Sequence, residues 1–356
     1  MKIALIGNTD FAIYNYRFEL CQALLIRGHE VVVICPLGNY VKRMVDSGCK
    51  HIEISVNAHG LNPLQDLKLK RSLQKILKQE KPDYVCGYTI KPNIYGAWAC
   101  KKLKIPFIAN ITGLGPKVEN KGLIQLITVF LYKIAFSKIY VVFCQNEANK
   151  LFFEKHNIAK GKIELIPGSG VNLAKFKLEP YPKTTIIKFA FVGRVRKEKG
   201  IDQFVEAARQ IKKDYQNVEF HVFGKCDSEY EWISTDTSII YHGMIDDTSA
   251  VYKNIHCLIF PSFYAEGLAN VLLEASASGR PVITTNRAGC KETLINNVTG
   301  FIIEEQNTID LINKIKMFLD KSEYEKAQMG IEAHKYVESN FDRNIIIHNY
   351  FSVFGM

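Results

Sequence analysis

No uninterrupted apolar stretch in this chain approaches the roughly 18 residues that a membrane-spanning helix needs. Its opening, MKIALIGNTD, reads as a strand and turn rather than a signal peptide. Together these absences lead us to expect a cytoplasmic protein. None of the nine cysteines stands in a C-x-x-C pair, and Cys21, Cys35, Cys86, Cys100, Cys144 and Cys257 lie within apolar runs. That argues against a disulfide framework or zinc cluster and for reduced core thiols. No internal repeat or low-complexity tract is visible. No D-x-D carboxylate pair occurs, so no metal site is expected.

What is present is a 356-residue chain, 47% apolar and 23% charged, long enough for two domains with separate cores. Strand-like runs at 3–6, 31–34, 52–54, 84–86, 107–110, 140–143 and 163–166 are separated by helix-length segments, which implies βαβ units and a parallel sheet. The stretch PGSGVNLAKFKLEPYPKTT, rich in Pro, Gly and Lys, reads as the interdomain linker. Alternation then resumes at 189–192, 219–223, 239–241, 257–260, 282–284 and 300–303. The expected fold is therefore α/β, with two Rossmann-like doubly wound domains facing across a cleft. The expected boundaries are 1–174, a linker at 175–186, a second domain at 187–340, and a terminal helix at 341–356.

Charge is uneven. Residues 1–178 carry 26 Lys and Arg against 12 Asp and Glu, and residues 179–356 carry 20 against 24. A basic first half suits an anionic partner such as a membrane surface, a lipid diphosphate or nucleic acid.

Two constellations carry the chemistry. In FPSFYAEGLANVLLEASASGRP, Glu266 and Glu274 stand eight residues apart around the start of a helix whose apolar positions are Leu268, Val271, Leu272 and Ala275. Gly267 lets backbone approach a ligand, and the amides of a first helical turn attract anions such as a diphosphate. Glu274 can accept hydrogen bonds from ribose hydroxyls, and Glu266 from a hexose. Upstream, FAFVGRVRKEKG sets Arg194 and Lys199 on the loop that leaves a strand at Gly193. A bidentate fork and a mobile point charge together suit a leaving nucleoside diphosphate.

Strand, G-R, K-G and then E-x7-E resembles the retaining family 4 glycosyltransferases of GT-B fold. The resemblance implies that Arg194 and Lys199 hold the donor diphosphate, Glu274 binds the ribose and Glu266 contacts the transferred sugar. It also implies a donor site that includes Gly193, Gly224, Met244, Ser262, Gly267, Leu268, Ala269 and Asn270, with the YHGMIDD stretch by the base. It further implies that the last helix returns onto the first domain.

The first half is similar to a bacterial subgroup that extends undecaprenyl-diphosphate-linked sugars. Asn15 and Arg17 fall in a YNxR pattern. Arg17 would by default be a surface residue and is otherwise an acceptor contact. YTIKPNIYGAWAC places the cation Lys91 at a strand's carboxyl end, and IANITGLGPK offers Asn110 and Thr112 in place of a histidine many members carry there, with Thr112, Gly113 and Gly115 in a loop where backbone could approach a sugar. His59 is a further candidate acceptor contact. Residues 122–137 are apolar on nearly every face, which suits a buried helix. Phe130, Tyr132 and Phe136 beside Lys117, Lys121, Lys133 and Lys138 also suit an anionic bilayer interface.

These readings converge on a retaining, metal-independent transferase without a cofactor, peripherally bound to the inner face of the cytoplasmic membrane. It would move a hexose or N-acetylhexosamine (GalNAc, GlcNAc or Gal) from a UDP-sugar to a lipid-diphosphate-linked saccharide. One alternative is a UDP-sugar 2-epimerase of the same architecture. The other is a basic nucleic-acid-binding protein, although no RNA-binding motif or interleaved basic-aromatic platform is present and nucleic acid is not the expected partner.

Overall fold

A computed structural model describes residues 1–56 and 63–356, so His59 lies outside the described residues. The chain divides into two compact units, Met1–Ser169 with Ile346–Met356, and Gly170–Ile345.

The first unit holds β1 (Lys2–Ile6), β2 (Glu30–Cys35), β3 (Lys50–Glu53), β4 (Tyr84–Tyr88), β5 (Phe107–Ile111), β6 (Val141–Cys144) and β7 (Ile163–Leu165). Their order in the sheet is β3-β2-β1-β4-β5-β6-β7, with every pairing parallel. Helices cover both faces of such a sheet. Its strands are therefore continuous apolar runs, as in the fully buried residues 31–35 of β2. On one face Ile346, Tyr350, Phe351 and Phe354, from the helix Arg343–Phe354, join the core beside the helix Asp10–Ile26.

The second unit repeats the plan with β8 (Ile187–Val192), β9 (Val218–Phe223), β10 (Ile240–Gly243), β11 (Cys257–Phe260), β12 (Val282–Thr285) and β13 (Gly300–Ile303), ordered β10-β9-β8-β11-β12-β13 and parallel throughout. Every strand lies within two residues of its expected run, and the doubly wound α/β class is the architecture found.

Residues 170–180 are bolted into this second unit. Val171 bridges Asp342, Phe176 joins the core, and Arg280 gathers the carbonyls of Glu179 and Pro180. Arg280 is fully buried. It also donates to the carbonyls of Tyr252 at 2.6 Å and Gly279 at 3.2 Å, and burial pulls its pKa down to about 10. Carbonyl dipoles thus stand in for a counter-ion at this clamp.

In each sheet the strand order reverses once, between β1 and β4 in the first and between β8 and β11 in the second. Loops leaving the carboxyl ends of those strands diverge to opposite faces, which opens the crevice where doubly wound sheets take ligands.

Candidate active site

Both constellations hang from the second unit's reversal point. β8 pairs directly with β11, Cys257 opposite Phe189 and Leu258 opposite Ala190, so the loops after Val192 and Phe260 start side by side.

Gly193 leaves β8 with φ +152°, and Gly224 leaves β9 with φ +146°. A methyl group on Gly224 would overlap the Gly193 carbonyl, so this pair of loops admits only glycine at that point. The Gly224 amide donates to the Gly243 carbonyl at 2.7 Å, which draws the β10 loop alongside. Met244 follows and is 70% exposed. Arg194 is exposed and makes no hydrogen bond or ion pair among the described residues. Its neighbour Arg196 is committed to Glu198, with Nε at 3.0 Å.

Three contacts stitch the β8 and β11 loops together. The Phe263 amide donates to the Glu198 carbonyl at 3.0 Å, the Ser262 hydroxyl donates to the same carbonyl at 3.3 Å, and Lys199 Nζ is ion-paired with Glu266 Oε1. Both side chains of that pair are largely shielded, and Lys199 Nζ also lies 4.6 Å from the centre of the Tyr264 ring. The cationic loop and the first carboxylate, 67 residues apart in the chain, therefore form one cluster.

Around Glu266 the backbone is tight. A methyl on Gly289, in the loop after β12, would press on the Glu266 Cβ and the Gly267 carbonyl, and the Gly289 carbonyl accepts from the Ala269 amide at 2.8 Å. The Gly289 amide is in turn held by Glu292 at 2.7 Å.

The helix itself runs Asn270–Ala277, so Glu266 and Leu268 precede it. This alters three expectations. The Ala269 amide serves Gly289 rather than an anion. Leu268 and Ala269 have buried side chains and offer a ligand only backbone. Ser262 is fully buried, gives its hydroxyl to the Glu198 carbonyl and accepts from the Tyr264 amide, so it braces the loop. Asn270 opens the helix with Oδ1 buried and unpartnered among the described residues.

Glu274 lies one turn into that helix. Its Oε2 accepts from the Tyr252 hydroxyl at 3.0 Å and the Thr248 hydroxyl at 3.1 Å, while Oε1 takes no hydrogen bond among the described residues. Burial raises its pKa above the ordinary carboxyl value, against the two hydroxyl bonds that lower it. One oxygen is thus fixed by the protein and the other takes no hydrogen bond among the described residues. Thr248, Tyr252, Tyr264 and Gly289 were not among the expected site residues. Their roles arise from contacts between distant segments, and only the glycine, in TTNRAGCKE, leaves a local signal.

On the first unit the structure corrects several acceptor assignments. Asn110 is fully buried and committed. Its Nδ2 donates to the Tyr350 hydroxyl at 3.0 Å, its Oδ1 accepts from Gln145 at 2.9 Å, and its carbonyl accepts from Asn93 at 2.9 Å. It braces the sheet and does not stand in for the missing histidine. Lys91 is neutralised by Asp66 at 2.9 Å, with both side chains mostly shielded. Asn15 donates to the Phe11 carbonyl one turn back at 3.0 Å. Thr112 and Gly113 are half-buried, Gly113 with φ +118°. Arg17, by default a surface residue, is buried at 3% exposure.

In the helix Leu123–Ala135 one face is buried through Gln125, Thr128, Val129 and Tyr132. The other presents Leu123, Leu126, Ile127 and Phe130, at 72%, 65%, 36% and 61% exposure. Tyr132 and Phe136 are core residues, so of the three aromatics only Phe130 is on the surface. Among the described residues no helix is long and apolar enough to cross a membrane.

Comparison with known proteins agrees with this geometry. A family model described as glycosyl transferases group 1 matches residues 187–321, and one described as glycosyl transferase 4-like matches residues 2–146. The chain is 28% identical, over 99% of its length and 98% of the relative's, to the N,N'-diacetylbacillosaminyl-diphospho-undecaprenol alpha-1,3-N-acetylgalactosaminyltransferase of Campylobacter jejuni. It is 24% identical, over 82% of its length and 80% of the relative's, to the UDP-Gal:alpha-D-GlcNAc-diphosphoundecaprenol alpha-1,3-galactosyltransferase of Escherichia coli. Among solved structures, Anabaena HepE in complex with UDP superposes with a TM-score of 0.82 at 14% identity, covering all of both chains.

Proposed function

We propose, from the premise that this chain belongs to the glycosyltransferases of the group 1 and 4-like type, that it transfers a hexose or N-acetylhexosamine from a UDP-sugar to an undecaprenyl-diphosphate-linked saccharide, with retention and without a metal ion. The observation that carries the reading is the meeting of the Lys199 ammonium, with Arg194 on the same loop, and Glu266 at the β8–β11 reversal point. Glu274 follows on the adjoining helix.

As the bond from the anomeric carbon to phosphate oxygen breaks, negative charge collects on the diphosphate. Lys199 and Arg194 are the cations that receive it, and such preorganised charge acts most strongly where charge develops. The acceptor hydroxyl attacks the anomeric carbon from the same face, and its proton passes to the departing phosphate oxygen. Arginine and lysine at the diphosphate replace a divalent ion. Undiminished turnover in EDTA and an α-configured product from an α-linked donor, read by NMR, test these two features.

The ribose role of Glu274 has its own test. Hydrogen bonds to a charged group are worth about 1.5–3 kcal/mol, so Glu274→Gln is expected to weaken UDP by at least tenfold in calorimetric titration. Its pKa is raised in the folded chain, so the native state holds this proton more tightly than the unfolded one. That contribution stabilises at low pH and is lost as pH rises through the folded value. Glu274→Gln is therefore expected to keep or raise the thermal midpoint at neutral pH while losing nucleotide. Unchanged UDP affinity would remove the assignment.

The exposed stripe at Leu123, Leu126, Ile127 and Phe130 has the i, i+3, i+4, i+7 spacing of an interfacial helix, with Lys117, Lys121, Lys133 and Lys138 exposed around it. It fits peripheral docking on the anionic inner leaflet, where a lipid-linked acceptor resides. The protein should float with anionic liposomes at low salt, and Leu126→Glu with Phe130→Glu should abolish flotation while leaving UDP binding intact. Equal flotation of that variant would sink the docking surface.

A further inference from the structure

Lys199 Nζ has anchors of two kinds, the Glu266 carboxylate with which it is ion-paired and the face of the Tyr264 ring, whose centre lies 4.6 Å away. The Phe260 ring is more distant, at 5.5 Å. An ammonium is drawn to the negative face of an aromatic ring within about 6 Å of its centre, and more strongly where water is excluded. The Lys199 side chain is only 11% exposed, which puts this contact towards the desolvated end of that range.

The two anchors differ in what else is asked of them. In the proposed reaction Glu266 contacts the transferred sugar, so a bound donor draws on the same carboxylate that pairs with Lys199. The ring has no such second duty. It is also fixed from the backbone rather than through its hydroxyl. The Tyr264 amide donates to Ser262 Oγ at 3.2 Å, and the Tyr264 carbonyl accepts from the Glu266 amide at 2.9 Å. The preceding amide, of Phe263, donates to the carbonyl of Glu198 in the turn Lys197–Lys199, so ring and ammonium ride on two loops already joined.

The Tyr264 hydroxyl makes no hydrogen bond among the described residues. Arg194, Arg196, Glu198 and Glu266 all lie within electrostatic reach of it, and burial raises its pKa above the ordinary phenol value. The ring therefore stays neutral and keeps its attractive face at neutral pH.

We infer that Tyr264 is the positioning residue for Lys199, its ring holding the ammonium at the donor diphosphate once Glu266 is engaged by the sugar. This rests on the transferase reading above, to which it adds a residue that neither constellation in the sequence contained.

Three substitutions in the full chain separate the ring's charge from its bulk. Tyr264→Leu removes the ring, Tyr264→Phe keeps it without the hydroxyl, and pentafluorophenylalanine at the same position keeps the shape while draining the negative face. Turnover is read as UDP release from UDP-GalNAc, UDP-GlcNAc and UDP-Gal. Tyr264→Leu should lower kcat at least tenfold with donor KM within about threefold of wild type. Tyr264→Phe should recover at least fivefold over the leucine variant, and the fluorinated ring should fall back towards it at an unchanged thermal midpoint. A ring that only fills space would make the last two equal. In a Lys199→Ala background Tyr264→Leu should cost less than threefold more, because it acts through Lys199. A second measurement needs no turnover and stands in if the leucine variant does not fold. In carbon-13-labelled lysine spectra the Lys199 ε-methylene, assigned with Lys199→Arg, should be shifted upfield by the ring current, and the shift should persist in saturating UDP. Turnover of Tyr264→Leu within threefold of wild type, equal rates for the plain and fluorinated rings, a full further loss in the Lys199→Ala background, or disappearance of the shift on adding UDP each overturns the inference. A wild type that neither binds UDP nor releases it from any of the three donors counts instead against the transferase reading, while the lysine spectrum still reports whether the ring seats the ammonium.

Discussion

Replacing Lys199 with alanine is expected to lower kcat by about 100-fold, the scale found when one preorganised donor to a developing charge is removed. The effect should fall on kcat more than on the KM for donor, because in the proposed reaction the charge that Lys199 would receive grows only as the diphosphate departs. Lys199 is also the partner of Glu266, and the two side chains are largely shielded. The alanine variant therefore also removes the ammonium that is ion-paired with Glu266.

This double role predicts strong coupling. Glu266→Gln alone should reduce turnover, and the double variant Lys199→Ala with Glu266→Gln should be far less impaired than the product of the two single effects, as groups that act as a unit are not additive. Steady-state rates with a lipid-diphosphate acceptor measure the cycle. A Lys199→Ala enzyme within threefold of wild type would dismiss the clamp, and additive effects would separate it from the sugar carboxylate.

The strands were legible in the sequence because parallel sheets are buried on both faces and turn each strand into an unbroken apolar run, as in Val31–Cys35 and Cys257–Phe260. Glu266 and Glu274 were legible because a short segment of strand, turn and helix fixes their spacing. The pairing of Lys199 with Glu266 was not, since it depends on which strands become neighbours at the sheet's reversal. Nor were the hydroxyls that hold Glu274, which come from Thr248 and Tyr252, 26 and 22 residues upstream. Arg17 misled for a related reason. A lone arginine on a helix reads as solvated, and it is buried where the chain's last helix brings Tyr350 onto the same face of the first sheet. Asn110 looked like a site residue at a strand's end and proved to be a brace, because its partners Gln145 and Tyr350 are 35 and 240 residues away.

Gly200→Ala is expected to be a severely damaging single-methyl change in the second unit's site. Gly200 follows Lys199 directly and adopts φ +79°, a left-handed conformation that costs a residue with a Cβ about 1 kcal/mol. Strain is the smaller part. A methyl there would overlap the carbonyl of Pro261, so the β8 loop must move away from the β11 loop that carries Glu266. Displacement of a positioning group by about 1 Å is worth on the order of 100-fold in rate, so turnover should drop by at least that factor. Gly28 supplies the control. It has φ +76°, and nothing lies within 4 Å of where its Cβ would stand. Gly28→Ala should therefore carry the backbone strain alone, with stability about 1 kcal/mol lower by urea unfolding and turnover unchanged. If Gly200→Ala turns over at the wild-type rate while losing no more stability than Gly28→Ala, close approach of the two loops is not what sets Lys199 against Glu266.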